Sequence, residues 1–254
     1  MSYLFSLFFL FFLGCSPNTD HYPYSNQKYK DFRGKDFKGM DLTGTYFLGA
    51  NLVKANFDHA QMSGGNLMYV SAAGATFRYA TMDFLDCDFA SLENANFSHS
   101  TSQFGRFVGA RLGGAIFDSV KFEAVDFSSI AAEGASFQNA EITQSNFTGV
   151  VMRRANFDNT VLWHSNFSNA HVHNSTFRNA KVRGVVFVDA NLSGVDFTGA
   201  DLSEVDFTGA DLTGAILTGA TLDRTNMCHA ITPAGDMIRY CDTVSEELEN
   251  VPRT

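Results

Sequence analysis

The stretch NFDNTVLWHSNFSNAHVHNSTFRNAKVRGVVF, Asn156–Phe187, carries a beat of five: Phe157, Leu162, Phe167, Val172, Phe177, Val182 and Phe187 are evenly spaced. An α-helix buries every third or fourth residue and a half-buried strand every second. A period of five fits neither. It calls for a backbone that turns a corner after each unit and returns the same side chain to one interior.

Outward from this stretch the beat holds for about 200 residues. Of the forty residues numbered in 2 or 7 from Phe32 to Met227, eighteen are Phe, eleven Leu and four Met. The exceptions are Ala72, Cys87, Ser102, Ala132, Ile142, Val172 and Val182. From Met40 to Ala230 the residue two places before each central position is small, broken only by Met40, Leu85 and Ile130. A regular repeat of this length excludes an ordinary globular packing and points to a solenoid.

The segments ANFDNT (Ala155–Thr160) and ANLSGVDFTGADLSEVDFTGADLTGA (Ala190–Ala215) resemble the pentapeptide-repeat family, whose unit is Ala-(Asp/Asn)-Leu/Phe followed by two polar residues. The resemblance implies an all-β fold, a right-handed quadrilateral parallel β-helix. Each unit would form one side, four units one coil, with the large and small residues inside.

The sequence carries its own marks of a twenty-residue coil. Phe37, Phe57, Phe77, Phe97, Phe117, Phe137, Phe157, Phe177 and Phe197 form one column at that spacing. Phe107, Phe127, Phe147, Phe167, Phe187 and Phe207 form a second, ten residues out of phase and so on the opposite side. Stacked coils bring i beside i+20, where like charges repel. Nine charged pairs occur at that spacing, among them Asp58/Arg78, Asp86/Arg106, Glu133/Arg153, Asp158/Arg178 and Glu204/Arg224, and all are opposite in sign. At i+25 the signs divide evenly, four and four. The expected body is about ten coils, a rod on the order of 48 Å long.

Four segments follow: a leader at 1–15, a polar tether at 16–30, the β-helix at 31–232 and a cap and tail at 233–254. The leader MSYLFSLFFLFFLGC has an apolar run, Tyr3–Leu13, too short to span a bilayer as a helix and suited to a signal-peptide core. Its ending, Phe-Leu-Gly-Cys, resembles the lipobox of bacterial lipoproteins, although no Lys or Arg precedes the run. That resemblance implies lipidation at Cys15, anchorage to a membrane and an extracytoplasmic place in the cell envelope. Ser16 after the Cys favours the outer membrane. Five Lys and Arg between Lys28 and Lys38 make the N-terminal end basic, whereas the whole chain carries −9, which argues against a nucleic-acid partner.

The repeat fails after Met227, and Thr232–Asp236 reads as a turn. By likeness to the closing segment of many family members, Cys228 and Cys241 form a disulfide in an oxidising compartment. Two cysteines alone lack the further ligands a metal needs. Cys87, at an inward position, is expected to be a buried free thiol.

A convex rod with a filled interior offers no cleft for catalysis. No phosphate loop, nucleophile elbow or zinc motif is present, so no catalytic residue, cofactor or metal is assigned. His164, His171 and His173 are outward polar decoration, and His59, Tyr79 and His99 form an outward stack. The informative irregularity spans residues 68–107, where central positions fall to Ala72, Cys87 and Ser102 and aromatics stand at outward places: Tyr69, Tyr79, Phe84, Phe89 and Phe104. Two accounts stay open. The segment is either an exposed aromatic patch for a partner or a two-residue register slip that takes Phe84, Phe89 and Phe104 inside. Trp163 also points outward and joins these aromatics as a partner-surface candidate, a cation–π contact with Arg183 one coil on being the plainer alternative. The function expected is a non-catalytic, lipid-anchored scaffold or protein-interaction module, its partner another protein, an envelope polymer or a second copy. The alternative, implied by some family members, is a DNA mimic that binds a type II topoisomerase such as DNA gyrase, invited by Asp196, Asp201, Asp206 and Asp211.

Overall fold

A computed structural model describes residues 23–238 and Cys241. Parallel bridges join i to i+20 without exception from Asn26↔Tyr46 to Asp211↔Ile231, so the chain winds one coil per twenty residues. The fold is the right-handed quadrilateral β-helix, and no described residue is α-helical. At three levels of one side the bridges lengthen into strands: β1 (Thr101–Gln103), β2 (Lys121–Glu123) and β3 (Glu141–Thr143), paired in parallel in that order.

One unit shows why the backbone turns. Phe57 N–H donates to Thr76 O at 2.7 Å, and Thr76 N–H donates to Ala55 O at 3.0 Å, so each side is hydrogen-bonded to the coil after it. Ala60 N–H then folds back on Phe57 O at 3.0 Å, closing a four-residue turn with His59 at φ 60°. A positive φ at the third turn residue is the mark of a type II turn. The pattern repeats everywhere: residues numbered in 4 or 9, from Tyr24 to His229, all have φ between 51° and 69°.

The interior is filled by two columns of Phe rings. Within a column rings stack: Phe137 lies 4.7 Å from Phe157 at 3°, and Phe127 lies 4.9 Å from Phe147 at 14°. Across the axis they meet edge to face, as Phe137 meets Phe147 at 6.2 Å and 81°. Both geometries satisfy the ring quadrupole. Small central residues are matched by larger ones two positions earlier: Val70 with Ala72, Leu85 with Cys87, Ile130 with Ala132, all buried. The pairs exchange volume between the two inward positions and keep the core full. Gly65 makes room for this, since a Cβ there would stand 3.1 Å from Leu85.

The register slip is therefore excluded. Ala72, Cys87 and Ser102 stay inside, while Phe84, Phe89 and Phe104 are 62%, 51% and 53% exposed. Ser102 meets burial by donating its hydroxyl to Met82 O at 2.9 Å.

The winding also begins before residue 31. Tyr24 N–H donates to Thr43 O, and Asn26 bridges Tyr46, so residues 24–30 belong to the first coil and not to the tether. The leader, Cys15 and residues 16–22 lie outside the described residues, as does most of the C-terminal tail. At the N-terminal end the described residues line a cavity of about 270 Å³, among them Lys30, Phe32, Lys35, Phe37 and Phe47. The C-terminal end is closed: Ile231 pairs antiparallel with Met237, Ile238 is buried, and Cys228 is bonded to Cys241. A turned-back strand and a cross-link protect an edge that would otherwise offer free backbone groups.

Candidate functional site

The left-handed corner is the position that matters most for the surface. Its conformation costs an L-residue about 1–2 kcal/mol and suits Gly or Asn. Most corners comply, among them Gly109, Gly114, Asn139, Asn159, Asn169, Asn174 and Asn179. Tyr69, Tyr79, Phe84, Phe89 and Phe104 do not: bulky aromatics hold φ of 55–59° there. Beyond Phe104 no corner residue is Phe, Tyr or Trp.

These aromatics form three ladders. Tyr69 stacks on Phe89 at 5.4 Å and Phe84 on Phe104 at 5.3 Å. His59, Tyr79 and His99 stack in sequence at 4.9 and 4.8 Å. Tyr79, Phe84 and Phe89 are successive corners of one coil, so the ladders occupy three of its four edges. The fourth edge carries Lys54, Gly74 and Asn94. The sequence-level patch is thus a girdle around the rod. Each ring leans over the corner one coil on, and a ladder can stop at glycine: a Cβ on Gly109 would stand 2.7 Å from the Phe89 ring.

Between the ladders the sides are polar and charged. Around β1–β3 a shallow trough of about 390 Å³ is lined by Asp83, Gln103, Lys121, Glu123 and Glu141 among others. Gln103 donates through its backbone N–H to Asp83 Oδ1 at 2.9 Å and through Nε2 to Glu123 Oε2 at 3.0 Å. On the next side Arg106 clasps Asp88 at 2.6 Å, and Asp86 is pushed above the usual carboxylate range by burial and by the Asp88 charge.

The i+20 charge pairs are only partly direct. Asp58/Arg78 and Glu204/Arg224 close as ion pairs, each at 2.5 Å. Arg106 instead reaches Asp88, and Arg178 reaches Asp196 at 2.6 Å while its backbone N–H takes Asp158. Glu133 pairs with Arg154, not with Arg153. A guanidinium on a long stem reaches a diagonal carboxylate, which spacing alone does not reveal. For the same reason the Trp163/Arg183 contact does not carry Trp163: Arg183 is turned to Glu204 at 3.0 Å. Trp163 is 45% exposed and stands apart from the girdle.

Among the described residues, one group of His, Cys, Asp or Glu brings three or more ligand atoms within 4.8 Å of one another: Cys228, His229 and Cys241. His164, His171 and His173 form no such group. His229 was not singled out in the sequence; its adjacency to Cys228 was the available signal.

Two family models match the chain. One, described as Pentapeptide repeat region, covers residues 150–227; the other, Pentapeptide repeats (8 copies), covers 31–67 and 115–154, and together they take in more than half of the chain. The chain belongs to the pentapeptide-repeat family. Its fold is similar to that of HetL, a pentapeptide repeat protein involved in heterocyst differentiation regulation in the cyanobacterium Nostoc sp. strain PCC 7120, with 21% identity, a TM-score of 0.55, and 87% of this chain and 94% of that one covered. QnrB1, a plasmid-mediated fluoroquinolone resistance protein, aligns at 16% identity over 89% of this chain and 95% of that one, but its TM-score of 0.34 carries no argument. No curated protein matches the sequence.

In this pentapeptide-repeat rod the aspartate column is committed to its own turns. Asp196, Asp201, Asp206 and Asp211 each accept the backbone N–H two residues on, at 2.9–3.1 Å. Burial raises the Asp196 carboxyl, but hydrogen bonds from Thr198 and Arg178 outweigh it and hold the group below the usual range. Carboxylates that serve as turn caps are partly withdrawn from a partner.

Proposed function

We propose that this pentapeptide-repeat protein is a non-catalytic interaction rod, lipid-anchored through Cys15 on the outer membrane of a bacterial cell envelope, and that its aromatic girdle docks a protein partner. The observation that carries the reading is the placement of Tyr69, Tyr79, Phe84, Phe89 and Phe104 at left-handed corners, exposed, where glycine or asparagine would serve the backbone better. Rings that give the fold so little are there for what they touch. Exposed aromatics with Arg among them have the make-up of protein-binding hot spots. The Phe-Leu-Gly-Cys ending of the leader supports the anchor.

The test has two arms. Fatty-acid labelling and membrane fractionation should show the chain acylated and membrane-bound, and Cys15→Ala should abolish both. Site-specific photo-crosslinkers at Tyr79 and Phe89 should capture one defined protein, or a second copy of the chain. That product should disappear in the Tyr79→Asn/Phe84→Asn/Phe89→Asn variant and persist when Trp163 is replaced. Membrane binding that survives Cys15→Ala would remove the anchor, and crosslinks indifferent to the triple replacement would remove the docking surface.

A further inference from the structure

The C-terminal cap brings together three atoms with an affinity for soft and borderline metals. The Sγ atoms of Cys228 and Cys241 and a ring nitrogen of His229 lie within 4.8 Å of one another, and His229 Nε2 is 3.8 Å from Cys241 Sγ. Besides the cross-link, the backbone fixes the chain from His229 to Ile238. His229 is the last left-handed corner, φ 58°, and its N–H donates to Ile238 O at 3.0 Å. Ile238 N–H in turn donates to Ala230 O at 3.0 Å, and Ile231 pairs with Met237. The loop between the cysteines is thus pinned near its middle. Cys228 is half-buried and the other two are exposed, so a reductant and an ion can both reach the sulfurs.

We propose that the reduced cap is a Cys₂His zinc site, so that the end of the rod is locked in either of two exclusive forms, a disulfide or a metal thiolate. A dithiol reductant breaks the Cys228–Cys241 bond and is itself oxidised to a disulfide; its two electrons and two protons leave two thiols on the cap. Zn²⁺ then displaces both thiol protons to bulk water and binds the two thiolates and the neutral imidazole of His229. Tetrahedral zinc, with Zn–S about 2.3 Å and Zn–N about 2.0–2.1 Å, sets its ligands roughly 3.3–3.8 Å apart. Three atoms already within 4.8 Å need only small side-chain rotations to reach that. The fourth vertex is left to water, as in zinc sites with three protein ligands. In the disulfide neither sulfur is a thiolate and the site is closed to metal. Because ligand binding stabilises the state that binds, zinc would restore the closure that reduction removes.

The experiment uses the full chain with Cys15→Ser in detergent, reduced with a phosphine and then freed of it, titrated with Co²⁺ and with Zn²⁺. The expected result is one equivalent bound, a sulfur-to-cobalt charge-transfer band that Zn²⁺ erases, and no such band in the oxidised protein. His229→Asn, which keeps a residue tolerant of the left-handed corner, should weaken binding by at least the ~10–100-fold seen on losing an outer-shell partner. Cys241→Ser should abolish the band. Circular dichroism confirms that each variant is folded. No thiolate band in the reduced protein, or a band and affinity untouched by His229→Asn, would overturn the site.

Discussion

Phe104 and Phe107 sit three residues apart in one coil and should answer replacement in opposite ways. Phe107 is 1% exposed, stacks on Phe127 at 5.0 Å and meets Phe97 and Phe117 edge to face. Its truncation to Ala leaves a cavity in a column that cannot collapse, and should cost about 3–5 kcal/mol. Phe104 is half exposed and holds φ 55°. Its stack on Phe84 contributes ~0.5–1.5 kcal/mol, against the ~1–2 kcal/mol strain of a left-handed L-residue. Phe104→Asn removes both, so its net effect should lie between a gain of ~1.5 and a loss of ~0.5 kcal/mol. Urea unfolding followed by circular dichroism and by the fluorescence of Trp163, the single tryptophan, measures both variants. If Phe104→Asn proves as damaging as Phe107→Ala, Phe104 lies in the core and the corner argument fails with it.

Three other outcomes are expected. Gly109→Ala should destabilise by ~1–2 kcal/mol, and more if the Phe89 ring, 2.7 Å from the added Cβ, cannot move; adding Phe89→Gly should recover the excess, and a double variant no better than the single would contradict the contact. Burial raises the Asp58 carboxyl, yet the hydrogen bonds from Arg78 and Thr76 hold it below its ordinary value. A lowered folded pKa gives stability that is complete above the unfolded value, near ~4, and is lost as pH falls through the folded one; Asp58→Asn should flatten that part of the urea-midpoint profile, and an unchanged slope would refute the role. Burial pushes the Cys87 thiol well up, so in the oxidised Cys15→Ser protein a maleimide should label Cys87 only after unfolding; labelling of the native state would place it outside.

The period, the coil and the inward columns were legible because each inward position repeats one physical demand every five residues. The irregular segment is less legible, because a weak central residue means little without the residue two places before it. Cys87 looks like a hole until Leu85 is counted with it, and Ala132 until Ile130 is. The corner rule is also present in the sequence, since Gly and Asn crowd the positions numbered in 4 and 9, but those residues carry no hydrophobic signal. The start of the winding is hidden in the sequence because Tyr24 and Tyr29 are exposed corner residues, whereas the bonds that include them are backbone ones, such as Tyr29 N–H to Leu48 O at 3.0 Å. Asp86 looked like the partner of Arg106 by spacing, but the side chain's reach decided for Asp88.

Cross-linking inside the irregular segment tests the register most directly. Thr101 and Lys121 face one another across adjacent coils, Thr101 inside the irregular segment and Lys121 beyond it, at a Cα spacing suited to a disulfide. With Cys87 replaced by Ala and Cys15 by Ser, the Thr101→Cys/Lys121→Cys pair should oxidise readily in the folded protein, and the Gln103→Cys/Lys121→Cys pair, offset by the two residues of a slip, should not. Bonding of the offset pair in place of the aligned one would mean that the aromatics of residues 84–104 face the interior, and the girdle would not exist.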